Sequence, residues 1–305
     1  MVGFQHCGLF FGVTQIDQAR KNANHEPFST TLADLKTRQT RGLAAAQLDG
    51  LRYRFTLDEA AADRALQALA SFTSVDFDVH RPSLERIAEA IILAQTFEMV
   101  RDQIDDAMHA RFLDEWWALA TTLVETVSEE AYVERLWLGL LRLVAGIVAE
   151  NSESVEQGVD VFRRTIAEDV SPRGHIDLAV AGNDGGSMTR TLLAVNALVL
   201  IAEAAAHIGV DLWTYEVRGV SIMTAAMYPI YYFYVTDKWQ WDDLTPTQVQ
   251  AAFRRHGGYL EMVNRRAQPR DFKPLLEDLR PIYDPWAGGL TTLTHGVPLR
   301  RGLFR

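Results

Sequence analysis

The sequence predicts an all-α protein, an incomplete α/α toroid of antiparallel helical hairpins, on three observations. Apolar residues recur with the helical period along most of the 305 residues, and no stretch alternates convincingly with a period of two. Two segments, 133–149 and 191–203, are apolar nearly all round, which places them inside the protein. The other periodic segments are amphipathic and joined by short loops, so neighbours run antiparallel. Buried helices within a layer of amphipathic ones make a toroid or a stacked-hairpin solenoid. No repeat of fixed length is visible, which favours the toroid. The chain reads as one domain, 1–305, whose tail, 283–305, is rich in Gly, Thr and Arg and is expected to be irregular.

In chain order the expected helices cover 14–23, 29–38, 41–54, 57–72, 83–101, 107–127, 129–150, 154–169, 187–208, 219–235, 246–256, 258–267 and 271–280. Thr56-Leu57-Asp58-Glu59 and Ser154-Val155-Glu156-Gln157 have the spacing of capping boxes, in which side chains satisfy the free N–H groups of a first turn. Thr245-Pro246-Thr247-Gln248 adds a proline where its missing N–H costs nothing. Gly209 after His207 is a helix stop. "YYFYV" at 231–235 follows Pro229 and reads as helix continuing past a kink.

Composition bounds the function. Thirty basic against forty acidic residues give a net charge of −10, which argues against general affinity for nucleic acid or anionic membrane. The longest apolar run, 191–202, is too short for a membrane span. Only Lys21, Lys36, Lys238 and Lys273 are lysines; arginine suits bidentate binding of carboxylates, although biased codon usage gives the same excess. A single cysteine, Cys7, excludes an internal disulfide and a Cys-rich metal site. "NDGGSMTRT" approaches the N-D-x-x-S-x-x-x-E metal motif of helical isoprenoid synthases. Thr191 replaces its glutamate, two glycines oppose helix, and Asp102, Asp105 and Asp106 lack the partner D-D-x-x-D order. No metal or cofactor is expected. The N-terminus lacks a basic n-region and a full apolar h-region, so the chain as written is expected in the cytoplasm, or in the periplasm or outside if a signal has been trimmed. The oligomeric state is open.

Several residues could carry chemistry. Arg135 and Arg142 share a face of the apolar helix 133–150, and Arg142 must either pair with a carboxylate or face a cavity. The polar loop 182–191 enters the apolar helix 187–208. Ser187 is a candidate cap, free N–H groups there attract anions, and Arg190 adds charge. Arg173 and His175 lie just upstream; His175 is a candidate base or a solvated loop residue. Aromatic residues crowd 213–241 and serve either core packing or sugar stacking. His256, Tyr259 and Arg265 lie near a double-glycine bend, and Tyr283 and His295 in the tail are further cleft candidates.

The segment "PRGHIDLAVAGNDGGSMTRTLLAVNALVLIAEAAAHIGVDLW", 172–213, resembles the alginate lyase family of polysaccharide lyases, as do 6–28 and 134–176. The resemblance implies an incomplete α/α toroid acting on an acidic, uronic-acid polysaccharide by β-elimination. That chemistry needs a neutraliser for the carboxylate, a base, and an acid at the leaving oxygen. The family supplies an Asn-Asn or Asn-His pair on the central helix, then an Arg and, seven residues later, a Tyr. Here those positions fall on Arg135-Leu136, Asn183 and Arg190. The replacements are more positive, which suits holding a polyanion. His175, Arg190, His256 and Tyr259 are therefore the catalytic candidates, with Arg135, Arg142, Asn183, Trp137 and Tyr283 as substrate-binding ones. Arg135 and Arg190 are expected to approach one space. The alternatives are a non-catalytic carbohydrate- or carboxylate-binding relative and a helical protein-interaction scaffold.

Overall fold

A computed structural model describes residues 3–74, 83–126 and 131–298. Its helices are α1 (Val13–Lys21), α2 (Phe28–Thr37), α3 (Leu43–Thr56), α4 (Glu59–Ser71), α5 (Ser83–Val100), α6 (Asp106–Thr126), α7 (Tyr132–Val148), α8 (Ser152–Arg164), α9 (Asp177–Val180), α10 (Ser187–His207), α11 (Ile222–Tyr234), α12 (Pro246–His256), α13 (Tyr259–Ala267), α14 (Phe272–Leu279) and α15 (Thr291–His295). Two short antiparallel pairs join them: β1 (Glu216–Val217) with β2 (Val220–Ser221), and β3 (Tyr283–Asp284) with β4 (Gly289–Leu290).

The architecture is an α/α toroid. Helices α3, α5, α7 and α10 pack in succession, followed by α13; α15, α1 and α2 then return to α3. α7 buries all its residues except Glu134, Arg135 and Arg142, and α10 is buried from Thr191 to Ala205, as their all-round apolar character requires. α5 joins them, buried throughout 90–100. Outside lie amphipathic helices whose buried residues form one stripe, such as Ala61, Ala62, Ala65 and Leu69 of α4. The closest approach is between α7 and α8. A Cβ on Gly146 would come within 2.5 Å of the Val155 backbone nitrogen, and one on Gly158 within 2.6 Å of Leu143. α10 is long and apolar enough to cross a membrane, but 89% of that stretch is buried inside the fold.

Three local expectations are corrected. Thr56 ends α3 rather than capping α4: Leu57 turns left-handed (φ 59°), and Asp58 accepts from the Ala61 N–H. Asn151, not Ser154, caps α8, because its side chain reaches the Ser154 N–H first. The segment 283–298 is ordered and largely buried rather than irregular; residues 299–305 lie outside the described part. The Thr245 capping box on α12 and the continuation of α11 through Pro229 hold as read.

The turn between β3 and β4 sits among the inner helices. Gln47 of α3 donates to the Pro285 carbonyl (2.9 Å) and Gln95 of α5 to the Gly288 carbonyl (3.2 Å). Trp286 packs edge-on against Trp137 of α7, at 5.7 Å between rings. Asp284 accepts from the Trp286, Ala287 and Gly258 N–H groups; its burial nonetheless pushes the carboxyl up to about 7. A side chain on Gly258 would collide with Ala287 (2.3 Å), so glycine there lets the turn seat. Glu261 of α13, fully buried, takes both arms of Arg280 (2.7 and 2.8 Å) and the Thr292 hydroxyl of α15 (2.7 Å).

Candidate active site

The loop entering α10 is closed by the protein's own carboxylates. Gly186 stands at the cap, and Ser187 is the first helical residue. Asp242 accepts from the Gly185 N–H (2.9 Å) and the Ser187 N–H (2.8 Å). Burial opposes its charge, but hydrogen bonds from Ser187 and Gly185 outweigh that and hold the carboxyl below its ordinary value. The anion expected at this helix start is therefore Asp242 itself. Trp239 donates from Nε1 to the Ser187 hydroxyl (2.8 Å) and fastens the same corner.

Arg190 is similarly committed. Its Nη1 donates to both oxygens of Asp184 (2.9 and 2.8 Å), its Nε to the Ala179 carbonyl (3.1 Å), and its Nη2 to the Ala181 carbonyl. Asn183, exposed and left-handed (φ 48°), lies beside Asp184 in this clamp. Arg135 pairs instead with Asp169 (3.5 Å) and lies over the Tyr132 ring, whose hydroxyl donates to the same Asp169 (3.0 Å). The two arginines expected to share one anion have separate protein partners. Replacing Arg190 with Ala takes the donor from the Ala179 carbonyl, while Asp184 and the Ala181 carbonyl stay exposed to water; we expect a lower melting temperature and unchanged affinity for uronic-acid oligomers. An undiminished melting temperature together with lost binding would show that Arg190 serves a ligand instead.

Burial also corrects other candidates. Tyr259 is fully buried and donates to the Ala226 carbonyl (3.3 Å), while Trp137 is fully buried and donates to the Leu193 carbonyl (3.0 Å). His256 is buried against Trp286, and desolvation drops its pKa to about 4, so it stays neutral. Tyr283 is half-buried beneath the Arg38 guanidinium, 4.6 Å from its ring centre. His295 is buried beside Glu203 (3.4 Å), and Arg265 donates to Gln18 (2.6 Å). Among the described residues Arg142 has no carboxylate partner; it lines a groove bounded by α6 and α8.

His175 is the exception. It lines an open cleft of about 730 Å³ with Arg173, Tyr228, Tyr231, Tyr232 and Gln240. The bridge between Val170 and Ile176 pinches the segment 171–175 into a loop, and Gly174 (φ 99°) sits so close to the Thr224 carbonyl of α11 that a Cβ would come within 2.5 Å. His175 is thereby held at α11, its ring 5.6 Å from Tyr228 and 5.2 Å from Trp241. Its Nδ1 hydrogen-bonds with the Ser171 hydroxyl (2.9 Å) and its Nε2 lies 3.1 Å from the exposed Asp177 carboxylate. The Arg173 guanidinium is exposed and has no carboxylate partner among the described residues. Trp241 Nε1 donates to the Tyr228 hydroxyl (2.9 Å), and the Tyr228 and Tyr232 hydroxyls share a hydrogen bond (3.3 Å) in which either can give the proton. Burial pushes the Tyr228 pKa up and keeps its proton in place. Tyr228 belongs to the aromatic run 213–241, which the sequence leaves open between core packing and sugar stacking, and nothing local singles it out as a proton donor. Among the described residues no group of three or more His, Cys, Asp or Glu side chains is arranged to hold a metal.

The family profile described as Alginate lyase matches residues 14–241, and the chain belongs to the alginate lyase family. Its fold matches that of a variant of alginate lyase A1-III complexed with a tetrasaccharide, with a TM-score of 0.73 and 19% identity over 90% of this chain and 78% of the other. The alginate lyase A1-III of Sphingomonas species A1 gives a TM-score of 0.71 at 19% identity with the same coverages. An alginate lyase from Bacteroides ovatus gives 0.64 at 13% identity, covering 97% of this chain and 99% of the other. No curated protein matches the sequence.

Proposed function

We propose that this protein is a lyase for uronic-acid polysaccharides whose reacting groups lie in the aromatic cleft. The observation carrying this reading is that Arg173, without a carboxylate partner among the described residues, His175 and the proton-bearing Tyr228 line one open cavity. Arg173 neutralises the uronate carboxylate, which acidifies the proton on the adjacent ring carbon. His175 takes that proton on Nε2 once the substrate displaces the exposed Asp177, and the Ser171 hydroxyl accepts from Nδ1 as the ring becomes positive. The C–H electron pair forms the new ring double bond, the glycosidic C–O bond breaks, and Tyr228 gives its proton to the leaving oxygen. Tyr231, more than half exposed, offers a face for a neighbouring sugar.

One observation supports a second reading: both ring nitrogens of His175 already have partners. A protein that binds acidic sugar without turning it over would keep them. Ultraviolet absorbance of the unsaturated product decides. On the lyase reading the wild type generates it from at least one uronic-acid polymer, and Arg173→Ala lowers kcat/KM by about 10²–10³-fold, the usual loss for removing a charge-stabilising donor. Binding of oligomers without product establishes the second reading, and absence of both removes the cleft as the site.

A further inference from the structure

Six half-buried arginines, Arg38, Arg52, Arg54, Arg101, Arg190 and Arg280, each hold a carboxylate at 2.7–2.9 Å. Arg142 is equally half-buried and holds none; it makes no ion pair or hydrogen bond among the described residues. It projects from α7, an otherwise buried helix, into a groove of about 160 Å³. The floor is Leu141 and Ala145 of α7, and one wall is Trp117, Ala120 and Val124 of α6. Trp117 is 38% exposed, a large indole left partly uncovered at the groove's edge. Ser154 and Gln157 of α8 form the polar side.

A guanidinium against apolar walls is stabilised when an anion meets it, because desolvation strengthens the pairing and the charge then has its fork of acceptors. The groove is too small and too apolar for a sugar chain. Glu125 stands on the rim and disfavours a second negative charge on the ligand. We infer that this groove is a binding site for a small organic monoanion with an aryl or alkyl body: its carboxylate sits on Arg142 and its body on Trp117, Leu141 and Ala145. None of the groove residues lines the aromatic cleft, so this site is independent of the proposed lyase chemistry.

The probes are benzoate, phenylacetate and hexanoate, with benzyl alcohol as the uncharged control, titrated calorimetrically into the full chain. Saturable 1:1 binding of at least one carboxylate is expected, with at least tenfold weaker binding of the alcohol. Arg142→Met, which preserves bulk and leaves no partner charge stranded, should weaken carboxylate binding at least tenfold while the melting temperature of the ligand-free protein stays the same or rises. Trp117→Ala should weaken the aryl acids more than hexanoate. Failure of every carboxylate to bind, or equal affinity in wild type and Arg142→Met, overturns the assignment and leaves Arg142 as a side chain that merely covers Leu141 with its stem.

Discussion

Replacing Arg280 with Met lowers the stability of the fold by about 3–5 kcal/mol, the cost of leaving a buried charge without its partner. Glu261 is fully enclosed, and Arg280 meets it with two parallel N–H groups at 2.7 and 2.8 Å. The remaining donor, the Thr292 hydroxyl, cannot neutralise a carboxylate. These three groups come from α13, the end of α14 and α15, so the pair also closes the ring around the β3–β4 turn. Thermal or urea unfolding measures the loss. The double variant Glu261→Met/Arg280→Met separates charge from packing: removing both partners should recover most of the stability, since an apolar pair of similar volume is often neutral or better. A double variant no more stable than Arg280→Met would mean that shape, and not the stranded charge, sets the cost.

Most of the toroid was legible because its helices carry the signal that survives in sequence, apolar periodicity over ten residues or more. The inner helices α7 and α10 announced themselves by lacking a polar face. Elements set by tertiary contact were not legible. The 283–290 segment has neither helical nor strand period; Gln47, Gln95 and the space left by Gly258 give it its shape. Caps were misplaced by a few residues because Asp58 and Asn151 compete with Thr56 and Ser154 for the same N–H groups, and geometry decides between them.

The make-up of the candidate cleft was visible in sequence only in part, for a similar reason. His175 and Arg173 are close in sequence and stay together in the cleft. The rim loop was visible as polar and glycine-rich, but its anion, Asp242, lies 55 residues beyond Ser187 and nothing local points to it. With Arg190 tied to Asp184 and Arg135 to Asp169, the positive charge that the altered family positions promised is met by the protein's own carboxylates. On the proposed reading, in a chain of net charge −10, Arg173 supplies the ionic contact to the polyanion, so affinity should fall with salt, and only with the shallow slope of a single ion pair.

Replacing His175 with Ala should lower kcat on uronic-acid polymer by about 10²–10⁴-fold, the usual contribution of a positioned general base. KM should change little, because Arg173 and the exposed Tyr231 remain to hold the substrate. Arg173→Ala should do the reverse in binding: oligomer affinity falls along with turnover. Packing offers a rival account, since His175 touches Tyr228 and Trp241 and its loss could collapse the cleft. His175→Gln addresses that account, because an amide keeps the volume and can still meet the Ser171 hydroxyl, yet cannot take up a proton near neutral pH. If His175→Gln binds oligomers like the wild type but makes no product, the imidazole acts as the base. If it turns substrate over at the wild-type rate, the base lies elsewhere and the assignment of His175 fails, whatever His175→Ala does.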